Sequence, residues 1–192
     1  MKRAEKKSQL LETAIDLFKR GGYHGSGVDR IIAESGIAKT TLYRHFKSKE
    51  GLIVAVLSTI DERFRDDMRA FVEARTGDPA ERLLATFDFL ESWFDEGEFY
   101  GCPFMSAASE YNDRTDVVFQ EARQHKRLVL AYFEELARAA GLADPKAIAE
   151  QVNLLHEGAV AVMQINRDKD AAPRARETAR LLIQAATPAP AR

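Results

Sequence analysis

Apolar residues in this chain recur at steps of three and four from one end to the other, and almost nowhere alternate as a half-buried strand requires. No Asn-Gly or Asp-Gly pair offers a hairpin turn. Glycines and prolines cut this helical pattern into segments. Leu10, Ile15, Leu17 and Phe18 mark a first helix that stops at Gly21-Gly22. Val28, Ile31 and Ile32 mark a short second one, which Ser26 would cap with Asp29 three residues on, and Gly36 ends it. A short third helix covers Lys39 to Phe46, with Leu42 and Phe46 one turn apart. Ser48 suits the cap of a long fourth, striped by Ile53, Leu57, Ile60, Phe64 and Phe71 and broken at Thr76-Gly77-Asp78-Pro79. Leu83, Phe87, Leu90 and Phe94 form one face of a fifth. The sixth runs from about Pro103 to Tyr111, the seventh from about Thr115 to Ala140, the eighth opens at Asp144-Pro145, and the ninth covers about Ala175 to Ala186. The expected fold is all-α, with about nine helices. A chain of 192 residues is one large domain or two small ones, and it buries enough surface to need no covalent staple.

The eighth helix has more apolar surface than one core can use. Ile148, Val152, Leu155, Ala159 and Val162 make one stripe, and Leu154, Gly158, Ala161 and Ile165 make another about 100° away. A second stripe calls for a second surface, and the small residues there let another helix come close. A homodimer built on the eighth and ninth helices is the expected use.

Composition excludes several classes of protein. With 45% hydrophobic and 30% charged residues the chain is not disordered, and its single cysteine, Cys102, can form neither an internal disulfide nor a cysteine-based zinc cluster. No signal peptide or membrane span is read, so the expected setting is cytoplasmic, without a membrane partner. The net charge of -2 conceals an asymmetry: residues 1–50 carry eleven Lys or Arg against six Asp or Glu, whereas the rest carries 17 against 24. A basic head on an acidic body points to a polyanion at the head, although a solvated face gives the same arithmetic.

Two short helices joined through a glycine and preceded by a longer one make a helix-turn-helix. With Leu42 and Phe46 buried, Thr40 and Arg44 point away from the core, Thr41 and Tyr43 flank them, and Lys39 and His45 lie at the margins. The face holds hydroxyls, a phenol and cations but no carboxylate, as a major groove requires. The run Gly22-Tyr23-His24-Gly25-Ser26-Gly27-Val28, then Ile31-Ile32-Ala33-Glu34-Ser35-Gly36-Ile37, then Thr41-Leu42-Tyr43-Arg44-His45-Phe46-Lys47-Ser48-Lys49-Glu50-Gly51-Leu52 resembles the DNA-binding domain of the tetracycline-repressor family. The resemblance covers about residues 5 to 55. It implies a DNA-binding domain over 1–48 and a ligand-binding and dimerisation domain over 49–186, with a frayed tail at 187–192. It also implies a homodimeric repressor on a palindromic operator in double-stranded DNA, released by a small-molecule effector. By position, Ser26, Tyr43 and Lys47 would meet phosphates and Lys39, Thr40, Thr41 and Arg44 would read bases, with His45 beside them. Ala38 and Gly27 stand where members often carry a hydroxyl. The basic arm Lys2, Arg3, Lys6 and Lys7 is a further candidate for DNA contact.

The body offers Trp93, Phe104, Met105, Tyr111, Phe119, Phe133, Asn153 and His156 as candidates for an apolar ligand pocket, and the same residues serve equally as core. Cys102 precedes Pro103 at an expected helix start, where the dipole favours a thiolate; a redox or electrophile sensor and an inert buried thiol are both open. His156-Glu157 lacks a nucleophile, metal cluster or phosphate loop beside it, so no enzyme, metal or cofactor is expected. An effector-independent DNA-binding factor of architectural or partner-recruiting type is the remaining alternative.

Overall fold

The structure, a computed structural model, describes residues 3–95 and 97–188, with the side chain of Arg3 left out. Among the described residues there are nine helices and no strand: α1 (Arg3–Gly21), α2 (Val28–Ser35), α3 (Lys39–Phe46), α4 (Lys49–Arg75), α5 (Pro79–Asp95), α6 (Pro103–Glu110), α7 (Val117–Ala139), α8 (Pro145–Asn166) and α9 (Ala171–Ala186). They pack into two compact units. One comprises the chain through Arg63 together with Cys102–His125, and the other Phe64–Gly101 together with the chain from Lys126 onward. The packing units thus divide the chain elsewhere than a motif-based boundary at residue 48, and they place α6 with the head.

In the first unit Leu10, Ala14, Leu17 and Phe18 of α1, Ile31 of α2, and Leu42 and Phe46 of α3 are buried. Each leucine, isoleucine or phenylalanine among them removed from water contributes about 1.5–3 kcal/mol, and that is what fixes two eight-residue helices too short to stand alone. Gly36 ends α2 in the left-handed conformation (φ 65°), its amide donating to the Ile32 carbonyl. Ser48 caps α4, its hydroxyl oxygen accepting from the Gly51 amide at 3.0 Å. Ser26 does not cap α2. Gly27 holds that position without a side-chain bond, because the Ser26 hydroxyl turns inward and donates to the Leu17 carbonyl at 3.0 Å.

The second unit is built around α5. Its Leu84, Ala85, Thr86 and Phe89 are buried in addition to the expected Leu83, Phe87, Leu90 and Phe94. A helix covered on most sides is a central one, and here Val129, Phe133 and Leu136 of α7, Ile148 and Val152 of α8, and Ala179 and Ile183 of α9 complete the core. The ninth helix starts at Ala171, earlier than its apolar spacing indicates. Pro173 falls in its first turn, where a missing amide costs nothing. Of the second α8 stripe, Leu154, Gly158 and Ile165 are exposed and Ala161 is half-buried. Residues 189–192 of the expected tail lie outside the described residues.

Candidate nucleic-acid interface

The turn between α2 and α3, from Gly36 to Ala38, sets the third helix against the first two. Leu42 and Phe46 hold it from below, so Lys39, Thr40, Tyr43 and Arg44 face solvent, as spacing demands. Lys39 reaches back to Asp29 of α2 at 2.9 Å, a surface pair that leaves its charge on the same face. His45 is half-buried, its ring 5.9 Å from that of Phe46.

Two expected DNA contacts do not keep their roles. Ser26 is fully buried, with its hydroxyl committed to Leu17, so it cannot present that group to a phosphate. Thr41 is only 8% exposed and lies under the guanidinium of Arg44, whose Nη2 is 3.5 Å from the threonine hydroxyl. Thr41 therefore lies against Arg44 and is not presented to solvent beside it. The basic arm is helical from Arg3, which places Lys6 and Lys7 on α1 and not on a loose segment; Lys2 and the Arg3 side chain lie outside the described residues.

Lys47 carries information that its position in the motif does not. It ends α3 at φ 64° and ψ -42°, and the Ser48 amide donates across it to the Phe46 carbonyl at 2.7 Å. That is a γ-turn of the strained hand, in a region of backbone space that glycine tolerates and a lysine pays for. An exposed cation is kept at a strained position beside the DNA-facing helix. Sequence reasoning also missed Glu110, which binds the turn between α1 and α2 from α6. No local signal announces it, since its partners stand more than eighty residues away.

The residues considered for a ligand fall into both units. Phe104, Met105, Tyr111 and Phe119 belong to the first, where the Phe104 ring lies flat on His125 at 3.5 Å and Met105 is exposed. In the second, His156 is buried with its ring 5.1 Å from Phe133 and 5.6 Å from Phe87, and Trp93 packs against Phe64 and Phe99. The side-chain oxygen of Asn153 and the hydroxyl of Tyr132 are buried there without a hydrogen-bond partner. Cys102 is buried at the start of α6, immediately before Pro103. Among the described residues no group of three or more His, Cys, Asp or Glu could hold a metal ion, and no helix is long and apolar enough to cross a membrane.

A short helix presenting Thr40, Tyr43, Arg44 and a flanking Lys47, braced by a second short helix across a glycine turn, defines a helix-turn-helix DNA-binding protein. Comparison with known proteins carries the assignment further. Residues 10–56 match the family of bacterial regulatory proteins of the tetR type, and residues 79–179 match the tetracyclin repressor-like C-terminal domain. A transcriptional regulator of Bacillus subtilis, LmrA, is 29% identical over 164 residues, covering 83% of this chain and 87% of the relative. The transcriptional activator FasR of Mycolicibacterium smegmatis is 30% identical over 164 residues, covering 83% and 69%. The crystal structure of a TetR-family transcriptional regulator from Streptomyces coelicolor superposes with a TM-score of 0.89 at 27% identity, over 96% of this chain and 97% of that one. The chain belongs to the TetR family. It is a DNA-binding transcriptional regulator and not an enzyme.

Proposed function

We propose that the protein works as a homodimer on a near-palindromic duplex and represses transcription until a small, largely apolar molecule releases it. The observation that carries the dimer is the exposed apolar stripe of α8. Leu154 is 72% and Ile165 78% exposed, with Leu181 of α9 at 66%. Large side chains held in water on two helices are the mark of a covered surface, and a two-fold contact covers the same stripe on both copies. One eight-residue recognition helix reads few bases, so pairing two of them is also what specificity needs.

Within each head, Thr40 and Arg44 are the base readers, Tyr43 and Lys47 meet phosphates, and Lys39 adds charge at the margin. In the second unit, the unpartnered Asn153 oxygen lies one turn before His156, whose ring packs on Phe87 and Phe133. A flat apolar effector bearing one hydrogen-bond donor matches that chemistry. Repression with effector release is typical of the family; the Mycolicibacterium smegmatis relative is named an activator, so the sign of regulation needs its own measurement.

Selection of duplexes from a random pool tests the operator, and transcription from a promoter carrying the selected sequence tests the sign. The expected product is an inverted repeat that lowers transcription when the protein is added, with a small-molecule screen restoring it. A selected site without two-fold symmetry would overturn the dimeric reading, and stimulated transcription the repressor reading.

A further inference from the structure

We propose that Glu110 is a positioning residue for DNA binding: its carboxylate clasps the turn between α1 and α2 and so fixes where the recognition helix stands. The inference needs the DNA-binding role of the chain but neither the dimer nor the effector.

Three donors of that turn converge on one carboxylate. The Tyr23 amide donates to Oε1 at 2.9 Å, the His24 amide to Oε2 at 2.6 Å, and His24 Nδ1 lies 2.9 Å from Oε2. Gly22 comes close enough that a Cβ there would stand 2.9 Å from Oε1, and its φ of +70° is one that side chains resist. The same turn also grips the rest of α6. The Tyr23 hydroxyl donates to the Pro103 carbonyl at 3.0 Å, and the His24 ring stacks on Tyr111 at 4.6 Å. Tyr23 and His24 therefore hold an eight-residue helix near both of its ends, about 12 Å apart.

On the head side the turn is tied to every helix that frames α3. Lys49 of α4 donates to the His24 carbonyl at 3.3 Å, Ser26 is bonded to Leu17 of α1, and α2 begins at Val28. A displacement of residues 22–24 thus moves the start of α2, and α3 packs on α2 and α1. Apolar contacts allow small slides at little cost, whereas directional bonds to a charged oxygen do not. Burial by itself would push the Glu110 carboxyl upward in pKa, but the amides of His24 and Tyr23 and the His24 ring outweigh it and hold it below its ordinary value. The clasp is accordingly ionised at neutral pH.

The test uses a duplex with a single half-site, taken from the sequences the wild-type protein selects, beside a scrambled duplex of equal length. Glu110→Ala is expected to keep its helix content, to bind the half-site at least tenfold more weakly, and to bind the scrambled duplex within twofold of wild type. Glu110→Gln, which keeps an acceptor oxygen without the charge, is expected to fall between. Amide exchange at Tyr23 and His24 should accelerate at least tenfold in Glu110→Ala without DNA. A role confined to holding the fold together would lower the melting temperature and leave the ratio of half-site to scrambled affinity where it was. That unchanged ratio in a folded Glu110→Ala overturns the proposal. Should Glu110→Ala fail to fold, the same ratio in Glu110→Gln decides, and no change there has the same force.

Discussion

Helices α3 and α8 each leave a face in water, and the two faces are chemical opposites. The first offers Lys39, Thr40, Tyr43 and Arg44; the second offers Leu154, Gly158 and Ile165. A polar, cationic face loses little by staying hydrated, so a partner that takes it can come and go. An apolar face costs about 25 cal/mol for each Å² left in water, so its partner is one that stays. On the proposed dimeric reading the difference separates a reversible DNA contact from a lasting protein one, and salt should distinguish them. The logarithm of DNA affinity should fall linearly with log salt, with a slope of about -0.9 per phosphate contact, while association through α8 should not weaken.

The largest effect is expected where the apolar face is broken. Leu154→Glu combined with Ile165→Lys should raise the dimer dissociation constant more than a hundredfold, as read by sedimentation. Both side chains already point to solvent in the protomer, so helix content should not change. Gly158→Leu approaches the same surface from the opposite direction. A Cβ at Gly158 meets nothing within 4 Å inside the protomer, so the side chain starts into open space where a partner would stand, and the helix itself should gain somewhat less than about 1 kcal/mol from losing a glycine. A stable dimer in both variants would move the interface off α8.

Next in size is Arg44→Ala on the polar face. It should cost about 1–3 kcal/mol at the base pair it reads and relax selection at that position alone, leaving association untouched. Equal losses on every sequence would show Arg44 to be a phosphate contact. Lys47→Gly should split two properties that usually move together. Relieving the γ-turn should stabilise the protein by about 1 kcal/mol, whereas losing the cation should weaken binding to all duplexes alike and flatten the salt slope by about one unit. A flattened slope without added stability would mean that the turn is not strained.

The same contrast explains what could be read from the sequence. The α3 face was legible because its support is local: Gly36, Leu42 and Phe46 lie within a few residues of the side chains they orient. The α8 stripes were legible because helical period is local too. Thr41 and Ser26 were misplaced because their burial depends on other helices: Ser26 points at Leu17 of α1, a contact that spacing within α2 cannot show. Glu110 was invisible for the same reason at greater range. Most of the ligand candidates were aromatic residues of a helical body, where Phe133 and His156 look like any other core pair until the side-chain oxygen of Asn153 is found buried without a partner.

The smallest expected effect lies at the helix starts, where the two helices differ again. α8 opens with Asp144, whose carboxylate accepts from the Ala147 amide at 3.2 Å, while α3 opens with Ala38 and has no side-chain cap. Its backbone at Ala38 (φ -59°, ψ 142°) is already extended, as capping residues are, so Ala38→Ser needs no rearrangement. It should stabilise the protein by about 1 kcal/mol, and Asp144→Ala should destabilise it by a similar amount, both read from denaturant midpoints at unchanged slope. The two helices part company in the presence of DNA. The first amides of α3 are the groups that a phosphate would also take, so a serine oxygen that occupies one of them should weaken duplex binding slightly even as the protein grows more stable. The same measurement on Asp144→Ala should show no change in half-site affinity. If Ala38→Ser instead strengthens binding and steepens the salt slope, its hydroxyl has added a phosphate contact of its own, and the bare start of α3 is a missing contact rather than an open one.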